Sequence, residues 1–280
     1  MKVAFQGIKG AYSESAIYKH FGKDAEAIGY DLSEEVFDAV LNNKVDFGLL
    51  PFENTIAGSV VVNYDLLLNN DVSLIAEVFF QIKHNLLSHK GSKLDNLKSV
   101  YSHPHALEQC REFIKKNKLK AVPEYDTAGA AKIVKERNNV GEAAITSEFC
   151  AEIYGLDIIE KDIETNKSNS TKFFVFVKSD KVPKNIKKEK TSISFKTKHY
   201  PGALINCLQR LAKHGLNLTK LESRPVPENP WEYIFYADFE GGTNSQKVKL
   251  ALSEMEAACT LLKVLGSYAK GKGIDANKHL

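Results

Sequence analysis

The first 177 residues alternate short apolar runs with amphipathic segments, and this alternation restricts the fold more than any other feature. Residues 3–6 have the composition of a buried strand, whereas residues 13–20 and 33–42 have the apolar spacing of helices whose N-caps would be Ser13 and Ser33. The same strand–helix unit recurs at residues 98–116, 121–136 and 143–154. Repeated βα units predict an α/β fold with a mainly parallel sheet, and their number favours two lobes around a cleft.

Residues 178–190, KSDKVPKNIKKEK, interrupt this pattern. They contain one proline, no aromatic residue, and six lysines against Asp180 and Glu189. Such a segment is typical of a solvated linker. Apolar periodicity returns after it as a β-α-β-β-α-β order, which predicts a ferredoxin-like domain. We therefore expect a two-lobed domain at 1–178, a lysine-rich linker at 179–190 and a second domain at 191–280.

The charge balance of the chain follows from this linker. The whole sequence carries +3, of which the linker segment 178–190 contributes +4, so the remaining residues sum to −1. A basic balance confined to one tether is not the footprint of a nucleic-acid-binding surface. We expect neither nucleic acid nor membrane as a partner.

Targeting, membrane and metal functions have little support in the sequence. The N-terminus has no apolar signal region, and the most apolar stretch, residues 72–82, is interrupted by Ser73, Glu77 and Gln81. We therefore expect a cytoplasmic protein. His103 and His105 do not share a helix face, which argues against a metal site. The cysteines are scattered without a CxxC pair and are expected to be reduced and mostly buried: Cys110, Cys150, Cys207 and Cys259.

Four segments gather polar residues at the ends of predicted strands, where open α/β sheets bind ligands. They are residues 7–13 (GIKGAYS), 51–59 (PFENTIAGS), 102–110 (SHPHALEQC) and 169–174 (NSTKFF). Each has an ordinary structural explanation as well: a tight glycine turn, Asn and Thr turn chemistry, capping by Ser102, or a plain strand edge. Taken singly, none of the four decides between binding and structure.

Taken together, the segments resemble a known family. FQGIKGAYSESA, DFGLLPFENTIAGSV, SHPHALEQC, AAITSEFCAEIYGL and NSTKFFVF occur in the order and spacing of prephenate dehydratases, and PGALINCLQRLAKHGLNLTKLESRP resembles the ACT regulatory domain that follows them. The resemblance covers essentially the whole chain. It implies a two-lobed, periplasmic-binding-protein-like (type II) catalytic domain followed by a ferredoxin-like ACT domain. The chorismate mutase helices of fused members are missing, which implies a monofunctional enzyme.

The resemblance implies conversion of prephenate to phenylpyruvate with loss of carbon dioxide and hydroxide. Aromatisation supplies the driving force, so neither metal nor redox cofactor is required. Thr171 matches the threonine of the family's Thr-Arg-Phe motif and is the expected catalytic group on the leaving hydroxyl, with His103 a weaker candidate. The expected substrate-binding residues are Ser13, Glu53, Asn54, Thr55, Ser102, Gln109, Lys172 and Phe173.

Two departures from the family pattern bear on these expectations. Lys172 replaces the motif's arginine and so exchanges a bidentate fork for a point charge. Ile8 and Ala11 replace the proline and threonine of the family's GPxGT loop, which weakens the carry-over from that loop.

The resemblance also implies inhibition by L-phenylalanine. Its expected binding residues are Gly202, Ala203, Leu204, Leu216, Asn217, Leu218, Glu222, Ser223, Arg224 and Pro225. Because such sites form between two ACT domains, a homodimer or homotetramer is expected. Two alternatives stay open: an arogenate dehydratase, which an acidic partner near the substrate side chain would favour, and a non-catalytic amino-acid sensor.

Overall fold

The computed structural model describes residues 1–226 and 229–271. The strands are β1 (Lys2–Gln6), β2 (Glu26–Tyr30), β3 (Phe47–Asn54), β4 (Gly58–Ser59), β5 (Val72–Gln81), β6 (Asn85–Ser88), β7 (Ser99–Ser102), β8 (Lys120–Pro123), β9 (Glu142–Thr146), β10 (Asp157–Glu160), β11 (Ser170–Lys178), β12 (Lys190–Thr197), β13 (Leu218–Val226), β14 (Asn229–Glu240) and β15 (Cys259–Ala269). The helices are α1 (Tyr12–Phe21), α2 (Ser33–Leu41), α3 (Val61–Asn69), α4 (Pro104–Gln109), α5 (Arg111–Lys116), α6 (Thr127–Arg137), α7 (Glu148–Tyr154), α8 (Ala203–Lys213) and α9 (Gln246–Ala258).

These elements form two compact units. The first contains residues 1–60 and 78–173, and the second contains residues 61–77 and 174–271. The second domain expected from the sequence, 191–280, includes residues 227, 228 and 272–280, which lie outside the described residues. No helix of the described ranges is both long and apolar enough to cross a membrane.

The first unit is an α/β structure with mixed sheets. Strand β1 pairs in parallel with β2 and β3, and β4 folds back antiparallel onto β3. A second sheet has the order β10-β6-β9-β7-β8, in which β7 is parallel to its neighbours but β6 is antiparallel to β9 and β10. The prediction of a mainly parallel sheet is therefore correct only in part.

Both faces of this second sheet are covered by helices. One face packs against α6, whose small residues Ala128, Ala130 and Ala131 are completely buried and let the helix lie close to the strands. The other face packs against α4 and α5 through Ala106, Cys110 and Ile114. A strand that is buried on both faces reads as a continuous apolar run, as residues 143–145 do.

The helix starts differ from the sequence prediction. Helix α1 begins at Tyr12 with Ala11 at its N-cap, so Ser13 is not the cap. The carboxylate of Glu14, in the first turn, accepts the backbone N–H of Gly10 at 2.6 Å instead. An acidic side chain in this position also interacts favourably with the helix dipole.

In helix α2 too, a glutamate and not the predicted serine accepts the backbone N–H groups at the helix start. Leu32 lies at the N-cap, and Glu35 accepts the backbone N–H groups of Asp31 and Leu32, each at 3.0 Å. The predicted cap, Ser33, donates its hydroxyl to Gln6 Oε1 at 3.0 Å. A serine at the start of a helix can bond either to the first turn of that helix or to a neighbouring element. Here it bonds to Gln6 at the end of β1.

The second unit contains the order β12-α8-β13-β14-α9-β15, with the sheet order β13-β14-β12-β15 and antiparallel pairing. Ile193 and Phe195 of β12 meet Leu211 of α8 and Met255 of α9 in its core. The unit also holds α3 and the first part of β5, where Leu74 and Ala76 pair in parallel with β15.

Helix α3 makes specific polar contacts within this unit. Arg224 of β13 donates to both carboxylate oxygens of Asp65, with its shortest bond at 2.8 Å, and Tyr236 donates to the same carboxylate at 3.2 Å. At the other end, Lys263 of β15 donates to the carbonyls of Leu68 at 2.6 Å and of Asn70 at 3.0 Å. These carbonyls have no partner within the helix, so the lysine satisfies them.

Lys190, assigned by the sequence to the solvated tether, is instead a buried residue of this unit. Its ammonium lies 2.7 Å from the carboxylate of Glu77, and the two side chains are 9% and 0% exposed. The other carboxylate oxygen of Glu77 accepts the backbone N–H of Gly271 at 2.9 Å. The prediction of a solvated Lys190 was wrong because the number of lysines in a segment does not show whether one of them pairs with a buried acid elsewhere in the chain.

We expect Glu77→Gln to lower the free energy of unfolding by about 3–5 kcal/mol, because it leaves a buried ammonium without its countercharge. The matched control is Glu136→Gln, which breaks an exposed pair with Lys132 whose side chains are 64% and 57% exposed, and should cost less than about 1 kcal/mol. Chemical denaturation measures both. Equal losses in the two variants would contradict the burial argument.

Candidate active site

A cavity of about 300 Å³ lies in the first unit between its two sheets. We call it the cleft. Its polar wall comes from the start of α1, the end of β3, the connection after β5, helix α4, the N-terminus of α6 and the start of β11. The polar side chains that carry the argument below are Tyr12, Asn54, His84, Gln109, Asp126 and Thr171.

Asn54, the last residue of β3, anchors this wall. Its Oδ1 accepts the backbone N–H groups of Ile56 and Ala57 at 2.9 and 2.8 Å, which closes the turn into β4. Gly58 completes the turn with φ +82°, a conformation that other residues rarely adopt. The same side chain donates through Nδ2 to Thr171 Oγ1 at 3.0 Å.

Thr171 lies at the start of β11, not at the end of a strand, and only 7% of it is exposed. It meets Asn54 because the start of β11 lies beside the end of β3, as the bond from Thr55 N–H to the Ser170 carbonyl at 2.9 Å shows. Its oxygen accepts from Asn54, so its own hydrogen remains for another acceptor. Thr171 and Phe173 both line the cleft, as strand alternation requires.

Lys172 points the other way. Its ammonium lies 2.9 Å from the carboxylate of Glu53, which precedes Asn54 on β3. Neither side chain is among those that line the cleft. The structure therefore pairs these two predicted binding residues with each other, and their contact with a substrate stays a prediction.

The remaining predicted residues are divided between the cleft and its supporting structure. Gln109 and Ser13 line the cleft. Ser102 is completely buried and donates to the carbonyl of Ile145 at 2.6 Å. Thr55 accepts from the N–H of Ser170 at 3.0 Å and is exposed.

The sequence predicted Ser102 as the N-cap of α4, but the structure places a different residue there. That position belongs to His103, whose Nδ1 accepts the N–H of His105 at 3.2 Å. His103 lines the cleft, and its role as a weaker catalytic candidate stays a prediction. Burial and the neighbouring His105 lower its pKa, and the imidazole is therefore neutral near pH 7.

The first glycine loop holds the two parts of the unit close together. Gly10 has φ +94°, and a Cβ added there would lie 2.6 Å from the sulfur of Cys150. Its carbonyl accepts the hydroxyl of Ser147 at 2.9 Å. The glycine is required for both reasons, the backbone conformation and the close approach.

Six further polar residues of the wall were not predicted as site residues, although three of them lie in the segments singled out above: Tyr12, His105 and Asn169 in those segments, and His84, Asp126 and Thr127 outside them. His84, which is 2% exposed, lies in the connection after β5, and Asp126 lies in the connection after β8. Both satisfy the rule that selected the other segments, polar residues at the end of an apolar strand. Applied to every strand, that rule would have found them.

The charges of the wall are sparse. Burial lowers the pKa of His84, so this imidazole is neutral near pH 7. Asp126 accepts the N–H of Gly129 at 2.5 Å as the N-cap of α6 and is the one carboxylate among the cleft residues that the structure describes. No group of three His, Cys, Asp or Glu side chains within the described ranges is placed to hold a metal ion.

A second cavity, of about 640 Å³, lies in the second unit and is lined by residues 197–205. Gly202, Ala203 and Leu204 of the predicted phenylalanine site belong to it. Among the other predicted residues, Leu216 and Leu218 pack in the core and Arg224 is bound to Asp65. These strand residues are not part of the cavity wall.

Comparisons with known proteins connect this geometry to an activity. The family described as "Prephenate dehydratase" matches residues 3–181. A protein of Arabidopsis thaliana named "Arogenate dehydratase/prephenate dehydratase 2, chloroplastic" is 39% identical over 96% of this chain and 72% of its own length.

Two solved structures have the same fold over 96% of this chain. One, a prephenate dehydratase in complex with L-Phe from Arthrobacter aurescens, has a TM-score of 0.88, 27% identity and 90% coverage of its own chain. The other, described as a novel type of quorum quenching acylase, has a TM-score of 0.89, 30% identity and 97% coverage.

The α/β fold and the named relatives define an enzyme of the dehydratase class. The chain belongs to the prephenate dehydratase family. The comparisons therefore favour an enzyme over the amino-acid sensor that the sequence left open.

Proposed function

We propose that the cleft converts prephenate to phenylpyruvate for L-phenylalanine biosynthesis, and that Thr171 assists the departing hydroxyl. The observation that carries this proposal is the 3.0 Å bond from Asn54 Nδ2 to Thr171 Oγ1. Since the threonine oxygen is occupied as an acceptor, its hydrogen is directed to a different partner. The cleft that Thr171 lines is where that partner would be.

The bond changes are those of a decarboxylative dehydration. The ring-to-carboxylate C–C bond breaks, its electron pair becomes part of the aromatic ring, and the ring C–O bond breaks at the opposite carbon. Carbon dioxide departs, and the hydroxide takes up one proton and leaves as water. A positioned donor at the leaving oxygen supplies general acid catalysis or transition-state stabilisation.

The surroundings of Thr171 suit such a step. Phe173 is 2% exposed and Ile82 is 7% exposed, and both line the cleft beside it. A carboxylate held against these apolar side chains loses part of its hydration, which favours its conversion to neutral carbon dioxide. Gln109 and Ser13 are the cleft donors that we assign to the substrate's oxygen atoms.

Acyl hydrolysis, suggested by the name of one structural relative, has less support. It would need a nucleophile activated by a neighbouring base. The Ser and Thr hydroxyls of the cleft, Ser13, Thr127 and Thr171, make no hydrogen bond to an imidazole among the described residues. The buried His84 is bound to Gln109 and Tyr12 instead.

We expect Thr171→Ala to lower kcat for phenylpyruvate formation by about 10²–10⁴-fold, because the donor at the leaving oxygen is lost. Thr171→Ser keeps the hydroxyl and should retain most of the activity. Purified protein is incubated with prephenate at neutral pH without added cofactor, and phenylpyruvate is measured. Full activity in Thr171→Ala would refute the assigned role.

Arogenate is the second candidate substrate, and Asp126 favours it. Arogenate has an ammonium where prephenate has a keto group, and Asp126 is the carboxylate that faces the cleft. One of its oxygens caps α6 at Gly129, which leaves the other available to a cation. The name of the Arabidopsis relative includes both activities.

If arogenate is the substrate, Asp126→Asn should lower kcat/KM for arogenate about tenfold more than for prephenate, since a charge-assisted hydrogen bond is lost. Asparagine caps helices as well as aspartate does, so α6 is preserved. Steady-state kinetics with both substrates measure the ratio. Equal losses would mean that Asp126 does not bind an ammonium, and no turnover of arogenate by the unaltered protein would exclude this candidate.

We further propose that L-phenylalanine inhibits the enzyme through the second unit, acting as an ACT domain in a homodimer or homotetramer. The L-Phe complex of the Arthrobacter relative supports the choice of ligand. The exposed glycine turn at Gly202, with φ +87°, and the apolar side chains beside it suit an amino acid's carboxylate and ring. Helix α3, bound by Arg224 and Lys263, follows β4 along the chain and offers a route toward Asn54.

L-Phenylalanine should lower the rate of prephenate turnover and change the association state, whereas D-phenylalanine at the same concentration should do neither. Inhibition requires that the two states of the enzyme bind the amino acid with different affinities. Initial rates and sedimentation velocity test the two effects. If L-phenylalanine alters neither quantity, the regulatory proposal fails while the catalytic one stands.

A further inference from the structure

Four polar side chains of the cleft wall form a continuous hydrogen-bonded chain, which we call the amide network: Asn54, Asn169, Gln109 and His84. Asn54 Nδ2 lies 2.8 Å from Asn169 Oδ1. Asn169 Nδ2 lies 2.9 Å from Gln109 Oε1, and the same oxygen lies 2.7 Å from His84 Nε2. The chain joins residues from β3, β11's entry, α4 and the β5–β6 connection.

The direction of every bond in this network follows from Asn54. Its amide faces two backbone N–H groups, those of Ile56 and Ala57, and a backbone N–H can only donate. The atom that faces them must therefore be the oxygen. Consequently the NH₂ group of Asn54 faces Asn169 and Thr171.

The same reasoning fixes the orientation of the next two amides, those of Asn169 and Gln109. Because the NH₂ group of Asn54 can only donate, Asn169 must present its oxygen to it and direct its own NH₂ group to Gln109. Gln109 must then present its oxygen to Asn169. Its Nε2 has no hydrogen-bond partner among the described residues and is left for the cleft that Gln109 lines.

The orientation of Gln109 then determines which ring nitrogen of His84 carries a hydrogen. His84 Nε2 faces the oxygen of Gln109 and must carry a hydrogen. In a neutral ring, Nδ1 is then an acceptor. The hydroxyl of Tyr12 lies 2.9 Å from it and 2.7 Å from the carbonyl of Lys83, so these two acceptors share its single hydrogen. Both Asn169 and His84 are buried, at 0% and 2% exposure, so water does not compete for these bonds.

We propose that Asn169 and His84 are positioning residues: together they hold the Gln109 oxygen, so that the Gln109 NH₂ group is presented to an oxygen atom of the substrate. His84 acts as the Nε2–H tautomer and donates to Gln109, while its Nδ1 and the carbonyl of Lys83 share the hydrogen of the Tyr12 hydroxyl. The identity of the substrate rests on the function proposed above, whereas the orientation of the network does not. Without the two donors, the Gln109 amide is free to rotate and present its oxygen to a carboxylate.

Matched variants of His84 separate this role from simple packing. Glutamine can place a donor near the position of Nε2, whereas asparagine reaches only the position of Nδ1, and leucine has no donor. We expect His84→Leu and His84→Asn to raise KM for prephenate by about tenfold, with a smaller effect on kcat, because one oriented hydrogen bond is lost. His84→Gln should recover most of that loss.

Asn169→Asp tests the other donor with almost no change in shape. An ionised aspartate cannot donate to Gln109, so KM should again rise by about tenfold. Circular dichroism and the denaturation midpoint of each variant establish that it folds. A folded His84→Gln that binds as poorly as His84→Leu would overturn the positioning role, as would an unchanged KM in folded His84→Leu or Asn169→Asp.

The tautomer has its own readout, which does not depend on turnover. With ¹⁵N-labelled histidine, the ring nitrogens of His84 are assigned by comparison with the His84→Gln spectrum. A protonated Nε2 and an unprotonated Nδ1 are expected near pH 7. The opposite tautomer would overturn the network even if prephenate is turned over, and the expected tautomer in a protein that does not consume prephenate would refute only the proposed function.

Discussion

The two hydrogen bonds from the backbone of Ile56 and Ala57 to Asn54 Oδ1 are the constraint on which the cleft depends. They fix one amide, and that amide fixes the direction of each polar group attached to it, from Thr171 on one side to His84 on the other. A turn between β3 and β4 thereby orients residues more than a hundred positions away in the chain. Buried networks of this kind are stable only when every member is satisfied, which explains why amides, with both a donor and an acceptor, dominate it.

The distribution of charge follows a consistent logic. The cationic Lys172 and its partner Glu53 lie on the opposite face of the strands from Thr171, and burial lowers the pKa of His84 and of His103, so these two cleft imidazoles are neutral near pH 7. Loss of carbon dioxide removes a negative charge from the site of the leaving carboxylate, so a strong cation at that atom would stabilise the reactant more than the transition state. In the proposed reaction, neutral and oriented donors would hold the substrate without this penalty.

The second unit combines a segment from early in the sequence with residues from its C-terminal part. Helix α3 and the first part of β5 belong with residues 174–271, and buried or half-buried side chains from β12, β13 and β15 bind them. The Glu77–Lys190 pair is stable only because both partners are enclosed together.

The order of strands and helices, the βαββαβ succession after residue 190 and the polar segments at strand ends were all predictable from sequence, because apolar periodicity is a local property. The caps at Ser13, Ser33 and Ser102 and the solvated tether at Lys190 were predicted wrongly. Ser33, Ser102 and Lys190 each bind a partner far along the chain. Which strand residues face the cleft was decided by the tertiary structure alone. The sequence determined which groups are available. Only the pairing of distant strands determined which donor meets which acceptor, since a hydrogen bond depends on a separation of about 3 Å that no local pattern encodes.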